Sequence, residues 1–336
     1  MTHEFKTIVE QAQKWQNDGI KSVLATVVAL EGSSYRRPGV RMLLNEKGAA
    51  VGAVSGGCVE KEVHFQAQSV FKDDKPKMMT YDGTLRLGCE GIIYVLLEPF
   101  QVSDALVSEF NHALEARLPM TIKSYYQKQF GLFEGIGSRL EFHQKTYSFD
   151  DSLQLNERHP LFEQCLPPVF HLLIIGAEHD AAQLCKAAAQ IGWKVSVMAA
   201  ADEQKTLEYF TGANQLLTPL YNAIDTSKID EHTAIVLMTH SFNKDVQYLA
   251  ALKNCYPAYF GLLGPKRRRE RLIDQFLEYH PEIDLEFIEQ LRGPAGINIG
   301  AESPQEIAIS IIAEILSVVR NQDPIVLKDK SGTIHA

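Results

Sequence analysis

The chain has 336 residues, of which 45% are hydrophobic and 22% charged, as is typical of a globular protein with room for two domains. Its formal net charge of −9 argues against a nucleic-acid binder, which would present a basic face. No stretch of about 18 uncharged apolar residues occurs, so no membrane span is expected. Because the start of the chain has no apolar leader, we expect a cytoplasmic protein. The five cysteines form no Cys-x-x-Cys pair and no short-spaced cluster with histidine, which argues against a disulfide framework and a structural zinc site.

The first half of the chain mixes helix and strand signals that are separated by glycine-rich turns. Helices are predicted at residues 5–17 and 59–71. Strands are predicted at residues 23–30, 41–44, 50–54 and 91–97. This mixture, in which no repeat is visible, predicts an N-terminal α+β domain.

Residues 145–168 change in character. They are polar, end in Pro167-Pro168 and show no sustained periodicity, so the sequence predicts a linker there. The expected first domain then covers residues 1–165 with this linker, and the second domain covers residues 166–336.

The second half alternates strand and helix signals regularly. Strands are predicted at residues 171–175, 194–198, 214–218, 234–239 and 258–263. This alternation predicts a Rossmann-like, doubly wound parallel sheet, which puts the whole chain in the α/β class. A last helix is predicted to begin at a capping box from Ser303 to Glu306 with proline at its first position. The apolar residues 307–319 that follow are expected to be buried, between domains or between protomers.

Three glycine-rich segments of the first half combine residues that could bind a ligand. They are residues 32–41 with Arg36, Arg37 and Arg41, residues 55–60 with Ser55, Gly56, Gly57 and Cys58, and residues 87–91 with Cys89. Glycine lets backbone approach a ligand closely, and successive backbone N–H groups can cradle an anion. Arginine donates forked hydrogen bonds to phosphate, and a thiolate near a helix start is a soft ligand for a transition metal.

Together these groups suit a ligand that is anionic, phosphorylated and metal-bearing. Each segment alone is equally compatible with a cysteine that only fills space, an arginine-rich turn in solvent, or glycines that only serve turns.

In their order and in their residues, the three segments resemble the motifs of the XdhC/CoxI family. The second half continues the match with Thr239-His240 and Asp245, with a glycine turn followed by Lys266 and Arg267, and above all with the long segment 291–308. The resemblance covers nearly the whole chain, to about residue 320.

This resemblance implies a non-catalytic accessory protein that binds the molybdenum cofactor, molybdopterin. It implies that the protein supports sulfuration of the cofactor by a cysteine desulfurase and its insertion into a molybdenum hydroxylase such as xanthine dehydrogenase. Cys58 and Cys89 become candidates to contact molybdenum or its sulfur, in one crevice that faces His240. The candidate cofactor-binding residues are Arg36, Arg37, Arg41, Ser55, Gly56, Gly57, Cys58, Cys89, His179, His240, Lys266 and Arg267. A homodimer is expected because the last helix is apolar.

One loop departs from the family pattern. Gly176-Ala177-Glu178-His179 replaces Gly-x-Gly-His, so that a carboxylate stands where backbone would approach a pyrophosphate. The acidic residue expected at the end of the next strand, to hold a ribose, is also missing, since the run there is Met198-Ala199-Ala200-Ala201. The sequence therefore argues against NAD(P) as a ligand.

Other functions stay open on the sequence. They are an NAD(P)-dependent oxidoreductase, a thiol-based sulfur carrier that uses Cys58 or Cys89, and an adaptor that has lost ligand binding. His179 and His240 stand at predicted strand ends, where open sheets place ligands, but either could instead be a structural histidine.

Overall fold

The structure is a computed structural model and describes residues 1–32, 37–83 and 91–331. It divides into two compact units, Met1–Pro168 and Val169–Ala336. Within the described residues, no helix is both long enough and apolar enough to cross a lipid bilayer.

The described part of the first unit forms two antiparallel sheets and three helices. The helices are α1 (Thr2–Asn17), α2 (Gly57–Asp73) and α3 (Asp104–Glu115). The strands are β1 (Ser22–Gly32), β2 (Arg41–Asn45), β3 (Ala50–Gly52), β4 (Lys77–Asp82), β5 (Gly91–Pro99), β6 (Met120–Tyr125), β7 (Gly131–Leu132), β8 (Gly137–Phe142), β9 (Lys145–Ser148) and β10 (Leu161–Leu166). One sheet has the order β3-β2-β1-β5-β4-β7 and the other β10-β6-β8-β9, which confirms the α+β prediction.

Strand β1 is covered on both faces, and its side chains contact a different helix on each. Leu24 packs in one core with Phe5 of α1, whereas Val23 packs in a second core with Val63 of α2. Successive side chains of a strand point to opposite faces, so a continuous apolar strand suits this position. The packing of α2 on the sheet fixes its first turn, where Cys58 lies.

The linker predicted over residues 145–168 is wrong, because this segment supplies β9 and β10 to the second sheet. Strand β10 pairs with β6 along its whole length. Its alternation is masked in the sequence because one of its two buried positions is polar. Gln164 and Leu166 face inward, while Cys165 faces solvent.

The second unit contains one parallel sheet with helices on both faces. The strands are β11 (His171–Ile175), β12 (Lys194–Met198), β13 (Gln215–Leu217), β14 (Thr233–Leu237), β15 (Tyr259–Leu262) and β16 (Leu291–Arg292). The helices are α4 (His179–Gln190), α5 (Phe242–Leu252), α6 (Lys266–Tyr279), α7 (Leu285–Glu289) and α8 (Pro304–Val319). The strand order β13-β12-β11-β14-β15-β16 confirms the Rossmann-like prediction.

The central strand β11 shows why the sheet is covered on both faces. Leu172 and Ile174 pack in a core with α4 and α8, and Leu173 and Ile175 pack in a core with α5, α6 and α7. Ile175 lies level with the last residues of both neighbouring strands. The carboxyl ends of three strands therefore meet at one edge, which is where open α/β sheets bind ligands.

Helix α8 begins at the predicted capping box. The Ser303 hydroxyl accepts a hydrogen bond from the Glu306 N–H (3.3 Å), and the Glu306 carboxylate accepts one from the Ser303 N–H (2.9 Å). Ile311 and Ile315 are fully buried in the core of the second unit, whereas Ile309 is 57% exposed. The buried face of α8 thus serves the core of its own unit.

Candidate functional site

The Cys58 turn, residues 55–58, leads from β3 into α2. Gly57 and Cys58 form the exposed start of the helix, and the next residue, Val59, is buried against the sheet. Among the described residues, no side chain caps this helix start, which is the positive end of the helix dipole, although the Val59 N–H donates to the Gly56 carbonyl oxygen (3.0 Å). A Cβ added at Gly56 or Gly57 would meet no atom within 4 Å. The glycines therefore leave open space beside an accessible thiol.

The structure describes four cysteines, all free, and they differ in accessibility. Cys58 and Cys165 are exposed, and Cys185 and Cys255 are buried. Burial raises the pKa of the Cys185 thiol to about 11 and also raises that of Cys255. Both buried thiols are therefore poor nucleophiles and poor metal ligands. Cys89 lies outside the described residues, so its crevice with Cys58 stays a prediction.

Arg41, predicted to bind phosphate, is only 7% exposed. Its Nη1 donates hydrogen bonds to the Gly39 carbonyl (2.9 Å) and to the Gln164 side-chain oxygen, and its guanidinium lies 5.5 Å from the Phe5 ring centre. Burial lowers its pKa to about 10, against the attraction of Glu98. The group is engaged inside the first unit and is poorly placed to contact a surface phosphate. Of the other predicted arginines, Arg37 is exposed and Arg36 lies outside the described residues.

The carboxyl edge of the second unit's sheet contains a cavity of about 240 Å³. It is lined by the turns that follow β11, β12 and β14 and by α5, and we call it the strand-end cavity. Gly176 and His240 both line it, which confirms that they lie at one edge of the sheet. Gly176 has φ +138°, and a Cβ there would lie 2.6 Å from the Met238 carbonyl oxygen. The turns after β11 and β14 therefore approach so closely that glycine is required.

Two carboxylates on the wall of the strand-end cavity share one lysine. The Lys205 ammonium lies 3.7 Å from a Glu178 oxygen and 3.5 Å from Glu203 Oε1. Glu203 Oε1 also accepts the N–H groups of Gln204 and Lys205, both at 3.0 Å, and these contacts hold the pKa of Glu203 below its ordinary value. The two carboxylates carry one more charge than the lysine between them and oppose phosphate on this wall, whereas His240 and Lys244 line the cavity from the turn after β14 and from α5.

Glu203 corrects the sequence-based view that no acidic side chain follows β12 near the ligand edge. The chain turns sharply after the alanine run, where the Glu203 N–H donates to the Ala200 carbonyl oxygen (3.0 Å). That turn brings the carboxylate back to the cavity. The sequence did not reveal this position, because the turn places the acid several residues beyond the strand end.

The remaining predicted residues of the second unit differ in their placement. His240 lines the cavity, and its Nε2 lies 3.7 Å from an Asp180 carboxylate oxygen. His179 opens α4 and is exposed, and it is not among the described residues that line the cavity. Lys266 and Arg267 are exposed at the start of α6, and the Lys266 ammonium lies 3.8 Å from a Glu270 oxygen. The structure thus brings only His240 of these four to the cavity.

Arg268, which the sequence analysis did not select, reaches the turn after β14. Its Nη2 donates to Asp245 Oδ2 (2.6 Å) and to the Thr239 carbonyl oxygen (3.2 Å). The Thr239 hydroxyl donates to the other Asp245 oxygen. Asp245 is 3% exposed, and burial raises its pKa although Thr239 and Arg268 oppose the shift. This network holds the turn that carries His240.

Tyr248 is a second residue of the cavity lining that the sequence analysis did not select. It lines the strand-end cavity from α5, is 1% exposed, and has a hydroxyl without a hydrogen-bond partner among the described residues. Its ring packs edge-on against Tyr221 at 4.9 Å. Burial raises its pKa to about 12, so the hydroxyl stays protonated at neutral pH. A buried hydroxyl in this state is an unsatisfied hydrogen-bond donor.

Within the described residues, no group of three or more His, Cys, Asp or Glu side chains could hold a metal ion.

Comparison with known proteins finds domains of one family in both halves of the chain. Residues 15–82 match the model of the XdhC and CoxI family, and residues 172–315 match that of the XdhC Rossmann domain. A Bacillus subtilis protein, named as a probable subunit of xanthine dehydrogenase, is 31% identical over 320 residues and covers 89% of this chain and 93% of its own.

Two further proteins are similar over nearly the full length. The Escherichia coli protein named "Molybdenum cofactor insertion chaperone PaoD" is 26% identical and covers 96% of this chain and 91% of its own. A crystal structure described as a xanthine dehydrogenase from Bacillus halodurans superposes with a TM-score of 0.75 at 27% identity, covering 94% of this chain and 96% of that one. Two matching domains and a relative above 30% identity establish that this chain belongs to the XdhC and CoxI family.

Proposed function

We propose that this protein binds the molybdenum cofactor and supports its sulfuration and insertion into a molybdenum hydroxylase, without being a hydroxylase itself. The observation that carries the proposal is the Cys58 turn, which offers an accessible thiol and open space at a helix start without a side-chain cap among the described residues. The relative named as a molybdenum cofactor insertion chaperone supports it. The proposed partners are the hydroxylase, a cysteine desulfurase and a second copy of this chain.

The residues of the Cys58 turn fit this cofactor chemically. When bound, the cofactor supplies a molybdenum centre held by dithiolene sulfurs, with a phosphate at its other end. The Cys58 sulfur is a soft donor suited to such a metal, and the positive end of the α2 dipole suits oxo or phosphate oxygens. Among the described residues, Arg37 is the predicted arginine that stays available for the phosphate, because Arg41 is engaged inside the unit.

The test is cofactor retention. The full chain, purified without air from a host that makes the cofactor, should contain molybdenum and pterin. Cys58→Ser should lower the molybdenum content several-fold and leave the thermal midpoint little changed, because the side chain is exposed. Cys165→Ser is the matched control, since this second exposed thiol lies on strand β10 and not in a helix.

Alkylation rates give a second reading of the same site. In the folded protein Cys58 should react much faster than buried Cys185, and bound cofactor should protect Cys58 but leave Cys165 unprotected. Equal molybdenum content in both serine variants, together with no protection of Cys58, would contradict the metal-contact role.

A sulfur-carrier role for Cys58 is the second candidate, favoured by the same exposed thiol. It requires a persulfide on Cys58 after incubation with a cysteine desulfurase and cysteine, detected as added sulfur by mass spectrometry. Sulfur on Cys165 to the same extent would mean non-specific transfer.

A further inference from the structure

The strand-end cavity lies where the strand order of the second sheet reverses. Counted along the chain, the strands stand in the order third, second, first, fourth, fifth and sixth. After the first strand, β11, the chain enters α4 on one face of the sheet, and after the fourth, β14, it enters α5 on the other face. Open α/β sheets bind ligands at such a reversal, where a carboxylate after the second strand binds ribose and the turn after the first strand receives phosphate. The charges on these two turns therefore indicate which parts of a nucleotide the cavity suits.

The turn after the second strand, β12, supplies an acceptor for ribose hydroxyls. Glu203 lines the cavity, and its Oε1 accepts the N–H groups of Gln204 and Lys205, both at 3.0 Å. These contacts orient the carboxylate and lower its pKa, so it is ionised at neutral pH. Its Oε2 accepts no hydrogen bond from the described residues, and the side chain is 18% exposed and so remains accessible to a ligand. An oriented, ionised carboxylate is a strong acceptor for hydroxyl groups.

The turn after β11 has the opposite preference from a phosphate site. Glu178 stands where backbone would approach a pyrophosphate, and its side chain lines the cavity at 52% exposure. Lys205 lies 3.7 Å from it but also contacts Glu203, so one ammonium serves two carboxylates. A ligand with a phosphate at this turn would meet like charge, whereas a ligand without one would not.

The cationic side chains of the lining do not reverse this balance. The Lys244 ammonium lies 3.7 Å from Asp202 Oδ1, and His240 Nε2 lies 3.7 Å from Asp180 Oδ2. With Lys205 and its two carboxylate neighbours, the cavity and its rim hold four carboxylates against two lysines. The carboxylates outnumber the cations even when His240 is protonated. The cavity therefore favours a neutral or cationic ligand over an anion.

We propose that the strand-end cavity binds a ribonucleoside that carries no phosphate at its 5′ position. The ribose hydroxyls donate hydrogen bonds to Glu203, and Glu178 selects a neutral or cationic 5′ group. Ala199 and Ala200 line the same cavity and have no side chain beyond Cβ, which leaves room for the sugar. This inference goes beyond the proposed function, because it concerns the second unit alone and needs no residue of the first.

Calorimetry with the full chain tests the ligand class. Adenosine, guanosine, cytidine and uridine are the probes, and at least one should bind with a Kd below about 1 mM. The tightest of the four is then compared with its 2′-deoxy analogue and its 5′-monophosphate. Each of these should bind about tenfold more weakly, because the first loses a hydrogen bond to a charged group and the second meets Glu178.

Three results would overturn the proposal. They are no binding of any of the four ribonucleosides, equal binding of the 2′-deoxy analogue, and binding of the 5′-monophosphate as tight as that of the ribonucleoside.

Two variants test each carboxylate against the ligand group assigned to it. Glu203→Gln keeps an oxygen for the two backbone N–H groups, so the fold should be retained. It should weaken ribonucleoside binding about tenfold and abolish the preference for the 2′-hydroxyl. Glu178→Gln should leave ribonucleoside binding within about twofold of wild type and tighten binding of the 5′-monophosphate about threefold or more.

Glu208→Gln is the control for both variants. This exposed carboxylate lies outside the described lining of the cavity, and its loss should change binding of none of the three ligands. A preference for the 2′-hydroxyl that persists in Glu203→Gln would overturn the ribose contact. A phosphate penalty that is the same in Glu178→Gln and in wild type would overturn the selection at the 5′ position.

Failure here is distinct from failure of the proposed function. Molybdenum retained by wild type and lost in Cys58→Ser, with no ribonucleoside binding, would refute only this inference. Absence of molybdenum and pterin from protein made in a cofactor-producing host, with ribonucleoside binding that depends on Glu203, would refute only the proposed function.

Discussion

Single side chains shape the ligand edge of the second unit's sheet. Gly176 is retained because the turns after β11 and β14 touch, but the next glycine of a dinucleotide loop is replaced by Glu178, whose carboxylate is anchored near Lys205. Weak dinucleotide binding could be predicted from the sequence and stays a prediction, because it depends on one residue type at one turn. It missed Glu203 and Tyr248, because their approach to the cavity depends on a turn and a helix face that no local pattern records.

Nicotinamide cofactors should therefore bind weakly. We expect a wild-type Kd for NADH of roughly millimolar or higher, and Glu178→Gly should lower it about tenfold or more by removing the charge that opposes pyrophosphate. Calorimetry with both proteins checks this. Micromolar NADH or NADPH binding to wild type would favour the oxidoreductase alternative.

Glu98 is a second residue whose environment has a measurable effect. It is fully buried on β5 and accepts hydrogen bonds from the Ser138 N–H (2.7 Å) and hydroxyl (2.6 Å). Burial raises its pKa from 4.5 to about 7, although Ser138 and Arg41 oppose the shift. The folded state therefore holds this proton more tightly than the unfolded state does.

It follows that the contribution of Glu98 to stability is most favourable below about pH 4.5 and is lost as the pH rises through about 7. Glu98→Gln should remove this loss and gain on the order of 2–3 kcal/mol over wild type above pH 7, with little gain at pH 4.5. Denaturant unfolding of both proteins across this range measures the difference. A difference that does not vary with pH would show that Glu98 does not titrate there.

Among the elements, helix α6 shows that a run of basic residues does not reveal which of its side chains faces the protein. The sequence favoured Lys266 and Arg267 as ligand-binding residues, yet Arg268 is the residue that points at the turn after β14. Adjacent residues on a helix point about 100° apart, so the run alone cannot tell which side chain faces inward. Strand β10 of the first unit was missed for a related reason. Its buried Gln164 is polar, so the strand lacks the alternation of polar and apolar residues that would reveal it.

Arg268→Ala should cost about 2–4 kcal/mol of unfolding free energy, because it leaves the Asp245 carboxylate buried without its cation. Arg267→Ala, one position earlier and exposed, is the control and should change stability by less than about 0.5 kcal/mol. The double variant Arg268→Ala with Asp245→Asn should recover part of the loss, since no unpaired charge remains buried. Equal effects of the two single variants in chemical denaturation would refute the network.

For the whole molecule, how well the strand pairing can be predicted from the sequence depends on how far apart the paired strands lie along the chain. The second unit repeats a local strand–helix pattern, so its strands and parallel order could be predicted from spacing alone. The first unit pairs strands that are distant in sequence, such as β1 with β5 and β10 with β6, and no local pattern specifies such partners. Its motifs could nevertheless be recognised, because the Gly-Gly-Cys motif of the Cys58 turn consists of consecutive residues and can be identified without knowledge of the strand order.

The position of α8 in the second core sets an order of events during synthesis. All the described strands of the first unit have been made once β10 has emerged from the ribosome, so the Cys58 turn can fold while the rest of the chain is still being synthesised. The second core stays open until Ile311 and Ile315 arrive to cover α4. Since domains fold as units, N-terminal first, we expect the Cys58 turn to be in place in the nascent chain before the strand-end cavity forms.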